Sequence, residues 1–205
     1  MSQQVDDNFI YNDKEYILMA LEYPKKFLDL KKFKLKPIEM STACWRGFVI
    51  TFAVKNNQLI VDQILTNNQT YTKSHKRKTI VINEINGVFP EIIEPKGLID
   101  VFNEYRILHY NNLNYTLNYT GAIIIVKDFI NKYITGPYAF LSISPFCYKE
   151  IIKLNFMNGI LTNTKDLSNY GIKIRLEKNN ILNEEENESA YSGWPDIDVL
   201  FKNDT

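Results

Sequence analysis

From residue 48 to residue 54 the side chains alternate, with Phe48, Ile50, Phe52 and Val54 on one phase and Val49, Thr51 and Ala53 on the other. A period of two is the spacing of a β-strand. Lys55-Asn56-Asn57-Gln58 interrupts the pattern, and Asn tolerates the positive φ that tight hairpin turns need. Leu59 to Leu65 then returns as the partner strand. This segment, more than any other, commits the chain to a fold built on antiparallel hairpins.

A second hairpin is signalled at 148–167, where YKEIIKLNFM and ILTNTKDL flank Asn158-Gly159. Asn-Gly between apolar runs is the strongest two-residue hairpin signal. EYILMALEY (15–23), KTIVINEI (78–85) and IKIRLE (172–177) read as strands, and NYTGAIIIVKDFI (118–130) as a strand running into a short helix. In PKKFLDLKKFKL (24–35) Pro24 suits a helix start, and Phe27, Leu30 and Phe33 fall at helical spacing, with short strand-like coil as the competing reading. PKGLIDVFNEYRI (95–107) has Leu98, Val101, Phe102 and Tyr105 spaced in the same way. TNNQTYTKSHKRK (66–78) reads as a polar loop with a basic end, and an acidic loop at 184–188 precedes GWPDIDVLF. The expected fold is α+β, mainly antiparallel hairpins with two or three short helices, in one compact domain spanning 1–205.

The chain also suggests a duplication. Cys147-Tyr148-Lys149 lies 103 residues after Cys44-Trp45-Arg46, and Tyr119 stands at the same offset from Tyr16. Phe129 follows its strand as Phe27 does, and Phe89-Pro90-Glu91-Ile92 is echoed by Trp194-Pro195-Asp196-Ile197. The order of these anchors is preserved, which predicts two related halves, 10–97 and 110–200, stacked on a shared core with pseudo-twofold symmetry. The plainer reading is coincidence in a chain rich in Tyr and Phe. A split into two domains near residue 109 is the architectural alternative.

Charge and composition remove several function classes. Lys+Arg and Asp+Glu each number 24, so no global field draws the chain to nucleic acid or anionic lipid. Two Cys and two His, none at CxxC or HxxxH spacing, argue against a metal centre. No GxxxxGK[ST], GxGxxG or GxSxG occurs, so nucleotide chemistry of the familiar kinds is disfavoured and no cofactor is expected. The longest apolar run, AIIIV at 122–126, is strand-sized, and no membrane association is expected. The polar, acidic N-terminus lacks the marks of a signal peptide, which points to the cytoplasm.

The candidate site residues are Trp45, Arg46, Trp194, Glu184, Glu185, Glu186 and Glu188. Arg46 between aromatics could clamp a carboxylate or phosphate bidentately, with Cys44 as a nucleophile if a base lay near. The plainer reading packs Trp45 and Phe48 in the core, puts Gly47 where another backbone comes close, and makes Cys44 a small buried hydrophobe. The four Glu near Trp194 could steer and anchor a basic partner, although such runs are commonly solvated loops. Lys73 to Lys78, after Tyr71, could touch phosphates, but the cluster is short and its surroundings are neutral. Asp196 and Asp198 are weaker acid–base candidates.

The pattern ST-x-x-W-R-G-aromatic at 41–48, continued by an alternating hairpin, Phe89-Pro90, the strand from Gly121 to Val126 and the hairpin from Tyr148 to Leu161, resembles a group of small uncharacterised bacterial proteins. The resemblance covers roughly residues 10–165 and implies no catalytic residue. The functional expectation is a non-catalytic protein-binding module of a bacterial cytoplasm, of accessory or immunity type. An enzyme or small-molecule binder holding an anionic ligand on Arg46 is the alternative, and nucleic-acid binding through 71–78 the third.

Overall fold

The computed structural model describes residues 4–72, 77–93, 107–133, 143–184 and 194–202. The first strands are β1 (Asn8–Tyr11), β2 (Lys14–Leu21), β3 (Phe48–Lys55), β4 (Gln58–Thr66), β5 (Gln69–Thr72) and β6 (Arg77–Ile80). Then come β7 (Glu91–Ile93), β8 (Ile107–Tyr110), β9 (Tyr115–Thr116), β10 (Gly121–Phe129), β11 (Tyr148–Met157) and β12 (Ile160–Asp166). Helices α1 (Ser168–Glu184) and α2 (Asp198–Lys202) follow. The chain is mostly β-sheet with few short helices, an α+β protein.

The main sheet runs β12-β11-β10-β2-β1-β3-β4-β8-β7, with β9 also on β4 and with β5 and β6 forming a separate pair. Neighbours pair antiparallel except β1 and β3, which run parallel. The β12 tip returns to β4 through Ile160↔Gln58, so seven strands from β12 round to β4 close into a barrel. Backbone bonds seal that contact: Leu59 N–H donates to the Gly159 carbonyl and Leu161 N–H to that of Asn57, each at 2.8 Å. The hairpin β11–β12 lies directly beside β10, whereas β1 stands between β2 and the hairpin β3–β4, so the order about the antiparallel β10–β2 pair is not symmetric.

Period two decides what fills the barrel. Ile50, Phe52 and Val54 of β3 point inward with Phe9, Leu59, Val61, Ile64, Ile123, Ile125, Leu154 and Phe156. Residues from both ends of the sequence therefore share this core. Phe27 plugs it, its ring 4.8 Å from that of Phe52 and 5.0 Å from that of Tyr119. The alternate residues of β10 and β11 face outward. Ile124, Val126 and Ile151 form a second apolar cluster with Phe146, Cys147, Tyr148, Leu167 and Leu200, beneath α1 and α2.

Three local expectations are corrected. Residues 172–177 are not a strand but the middle of α1. Ile172 and Leu176, on one phase of the apparent alternation, are 46% and 57% exposed, while Leu167, Tyr170, Gly171, Ile174 and Arg175 turn inward at helical spacing. A Cβ at Gly171 would come 2.7 Å from Cδ1 of Ile151, so helix and sheet approach closely there. Residues 24–35 form two separate 3-10 turns, Pro24–Lys26 and Leu30–Phe33, rather than one helix. Phe27 and Phe33 are buried as the spacing requires, and Lys34 in the left-handed region, at φ 55°, ends the run. The polar stretch 66–78 contributes to the β5–β6 ladder instead of a plain loop. The helix expected at 95–107 lies outside the described residues apart from Ile107, the first residue of β8.

Candidate functional site

The turn that leads into β3 is held by short-range bonds. The Ser41 hydroxyl accepts from Ala43 N–H at 3.3 Å, and its carbonyl accepts from Cys44 N–H at 2.9 Å. Met40 and Gly47 N–H both donate to the Cys44 carbonyl at 3.1 Å. Cys44 is buried, its thiol 3.5 Å from the Phe48 carbonyl, and it behaves as a small apolar residue. Gly47 has φ +74°, and a side chain there would overlap the carbonyl of Ile38. That contact belongs to a backbone clasp in which Ile38 N–H donates to Asn67 and Asn67 N–H to Gly47. The Thr66 hydroxyl donates to the same Gly47 carbonyl at 3.1 Å.

Arg46 works inward. Nη1 and Nη2 grip the two carboxylate oxygens of Asp7 at 3.0 and 3.1 Å, and Nη2 also donates to the Val5 carbonyl at 3.0 Å. The guanidinium lies 4.7 Å from the Phe48 ring centroid. Asp7 in turn accepts from Ile50 N–H at 2.9 Å. The fork therefore fastens the segment before β1 to the start of β3, and a carboxylate of this chain already takes the bidentate position an anionic ligand would need. Burial pushes the neighbouring Asp6 carboxyl upward, with Arg46 pulling it the other way.

Trp45, between these two fixed residues, is 63% exposed. Packing of this indole in the core is thus corrected: its backbone is tied down while its ring faces solvent. The contrast with Tyr148, 103 positions on, is direct. Phe146 N–H donates to the Ser144 hydroxyl at 3.3 Å and Cys147 N–H to the Ser144 carbonyl at 3.0 Å, the same two bonds that Ser41 makes. Cys147 is buried as Cys44 is, yet Tyr148 is 4% exposed. Its ring meets Phe129 at 5.1 Å, and burial pushes its phenol up to about 12. Helix α1 lies against the backbone of this turn, with Arg175 Nη1 donating to the Phe146 and Tyr148 carbonyls at 3.0 and 2.7 Å.

Trp194 is a partly buried lid rather than an exposed anchor. Its ring stands 5.5 Å from Tyr133 and 6.1 Å from Phe146, and Lys178 Nζ lies 4.0 Å from its centroid. Glu184 is the last residue of α1, so it does not join a loop at its own position. Glu185, Glu186 and Glu188 lie outside the described residues, as do Lys73, Ser74, His75 and Lys76. His109 sits on β8, 3.4 Å from Gln63. Asp196 uses its carboxylate to accept from Asp198 N–H at 3.0 Å, the start of α2.

A polar group at inward-facing positions escaped sequence reasoning. The Tyr16 phenol donates to Glu150 at 3.0 Å, Tyr11 and Thr164 hydroxyls meet at 3.0 Å, and Lys127 Nζ lies 5.8 Å from the Tyr16 centroid. Burial and the bond to Glu150 push the Tyr16 phenol up to about 12. The group ties β1, β2, β10, β11 and β12 together, and no local motif could announce residues so far apart in sequence. Among the described residues no group of three or more His, Cys, Asp or Glu is placed to hold a metal ion, and no helix is long and apolar enough to cross a membrane. No protein-family model, curated protein or solved structure matches the chain.

Proposed function

We propose that the chain is a non-catalytic protein-binding module, an accessory or immunity-type protein of the bacterial cytoplasm, that offers Trp45 to a partner. The observation that carries the reading is an indole 63% exposed on a backbone held from both sides. An aromatic pre-positioned in this way loses little entropy on binding and is the residue type most enriched at interface hot spots. Val5, 43% exposed, is tied to the same turn by the bond from its N–H to the Ala43 carbonyl at 2.7 Å.

We further propose that the two halves are related by duplication. The repeated Ser-x-x-Cys turn and the antiparallel hairpin that follows each copy support this reading. It sharpens the functional one, because the partner would then bury Trp45 as this chain's own packing buries Tyr148.

The test is capture of partners by the tagged protein from its own organism, followed by titration of each purified partner. Trp45→Ala should weaken the specific complex by about 2 kcal/mol, roughly 30-fold, and leave thermal stability unchanged. A stoichiometric complex whose affinity ignores Trp45→Ala would refute the assignment.

A further inference from the structure

Residues 194–202 are packed onto the barrel in the manner of a bound peptide. Their backbone bonds run within the segment: Asp198 N–H to the Asp196 carboxylate at 3.0 Å, Val199 N–H to the Asp196 carbonyl at 3.1 Å and Leu200 N–H to the Ile197 carbonyl at 2.9 Å. Side chains make the attachment. Leu200 is fully buried, and Trp194, Ile197, Val199 and Phe201 pack on the same cluster. Trp194 and Ile197 lie in the stretch before α2 and Leu200 within it, so the lead-in and the helical turn both present apolar side chains to the groove.

The receiving surface is built for such a segment. The outer face of β10 and β11 gives Ile124, Val126 and Ile151, and α1 forms one wall with Tyr170 and Ile174. Both ends of the segment are met by cations. Lys178 lies 4.0 Å from the Trp194 ring centroid, favourable to the ring quadrupole. Lys153, 2% exposed on β11, donates from Nζ to the Phe201 carbonyl at 2.8 Å, where the carbonyls of α2 point out of its last turn.

We propose that this groove is a peptide-binding site that the chain fills with its own residues 194–202, and that the same segment of a second copy can take its place. A second copy presents the same side chains, so every contact above is kept and only the chain connection changes. Exchange of an identical element between protomers is for that reason a low-cost route to a dimer. The occupant in cis has the advantage of a tethered ligand, at an effective concentration of order millimolar. The exchanged form therefore grows with protein concentration.

The test uses the full chain and a capped peptide of residues 194–202. In full-length Leu200→Asp the resident segment is disabled and the groove left intact, so the labelled peptide should bind one to one and at least about tenfold more tightly than to the wild type. The same peptide carrying Leu200→Asp should not bind. Wild-type protein should form a dimer that increases with concentration in sedimentation velocity and is lost in Leu200→Asp. A folded Leu200→Asp chain that ignores the peptide, or a wild type that stays monomeric at millimolar concentration, overturns the proposal. If Leu200→Asp does not fold, hydrogen exchange of the wild type decides. The Val199 and Leu200 amides should exchange at least about tenfold faster than those of β10 and β11, and exchange together with those strands would show that the segment does not leave.

Discussion

Gly47 and Gly87 make a matched pair, because both hold left-handed backbone, at φ +74° and +79°, and differ in what surrounds them. A Cβ at Gly87 meets nothing within 4 Å, whereas at Gly47 it would overlap the Ile38 carbonyl. Gly87→Ala should therefore cost only the left-handed penalty of an L residue, about 1 kcal/mol. Gly47→Ala carries the same penalty and must also push the Ile38 backbone away. That movement breaks the bonds from Ile38 N–H to Asn67 at 2.9 Å and from Asn67 N–H to Gly47 at 3.0 Å. At roughly 1 kcal/mol per lost bond, the total reaches about 3 kcal/mol. With an m-value of about 2.5 kcal/mol/M in urea, the midpoint should fall by roughly 1.2 M for Gly47→Ala and roughly 0.4 M for Gly87→Ala. Urea titration followed by Trp fluorescence reads both. Equal shifts would refute the claim that the backbone clasp, rather than dihedral strain, makes Gly47 indispensable. Because the clasp also fixes Trp45, any partner affinity should fall with Gly47→Ala and not with Gly87→Ala.

Arg46→Lys keeps the charge but replaces the two-pronged grip on Asp7 with one donor and loses the bond to Val5, and it should cost about 1–2 kcal/mol in urea titration. Faster hydrogen exchange confined to residues 5–8 would localise the loss, and an unchanged midpoint would show the fork to be ornamental. Tyr16 and Tyr148 both hold their phenol protons to about 12, against the ordinary 10. Since the unfolded chain gives up these protons first, the stability they contribute is whole below pH 10 and drains away as pH rises towards 12. Each contributes a slope of at most about 1.4 kcal/mol per pH unit, and Tyr148→Phe should flatten its share in urea midpoints measured from pH 8 upwards.

Much of the strand layout was written in local pattern. The alternation from Phe48 to Val54 gave β3, and Asn158-Gly159 gave the turn between β11 and β12, because in both one face is apolar and the turn residues accept positive φ. IKIRLE misled because an amphipathic helix with two exposed apolar residues can mimic period two over six positions. As a helix the segment sets Gly171 close against Ile151 and Arg175 on the Phe146 and Tyr148 carbonyls, contacts no window of sequence contains. Strand β1 and its parallel pairing to β3 were illegible for a similar reason: four residues carry too little periodicity, and their place depends on Arg46 reaching Asp7. At the candidate site the residues were legible and their roles were not. Sequence marks Trp45 and Arg46 as unusual, but only the fold shows Arg46 spent on the chain itself and Trp45 left outside.

The difference between Trp45 and Tyr148 links the two proposals. Each follows a buried cysteine in the same serine-capped turn, and each begins or precedes the first strand of a hairpin. Tyr148 is 4% exposed, within the apolar cluster that α1 and the segment 194–202 also join. Around Trp45 no described residue does the same, so 63% of a large apolar side chain faces water. A solvent-facing indole on a rigid support contributes little to folding, since most of its apolar area is never buried. Its tight mounting is then best accounted for by a surface that arrives from outside. The proposed duplication makes Trp45 the counterpart of Tyr148, and the proposed partner would then close over Trp45 in trans, with a cation set against the carbonyls of the turn as Arg175 is set against those of Phe146 and Tyr148.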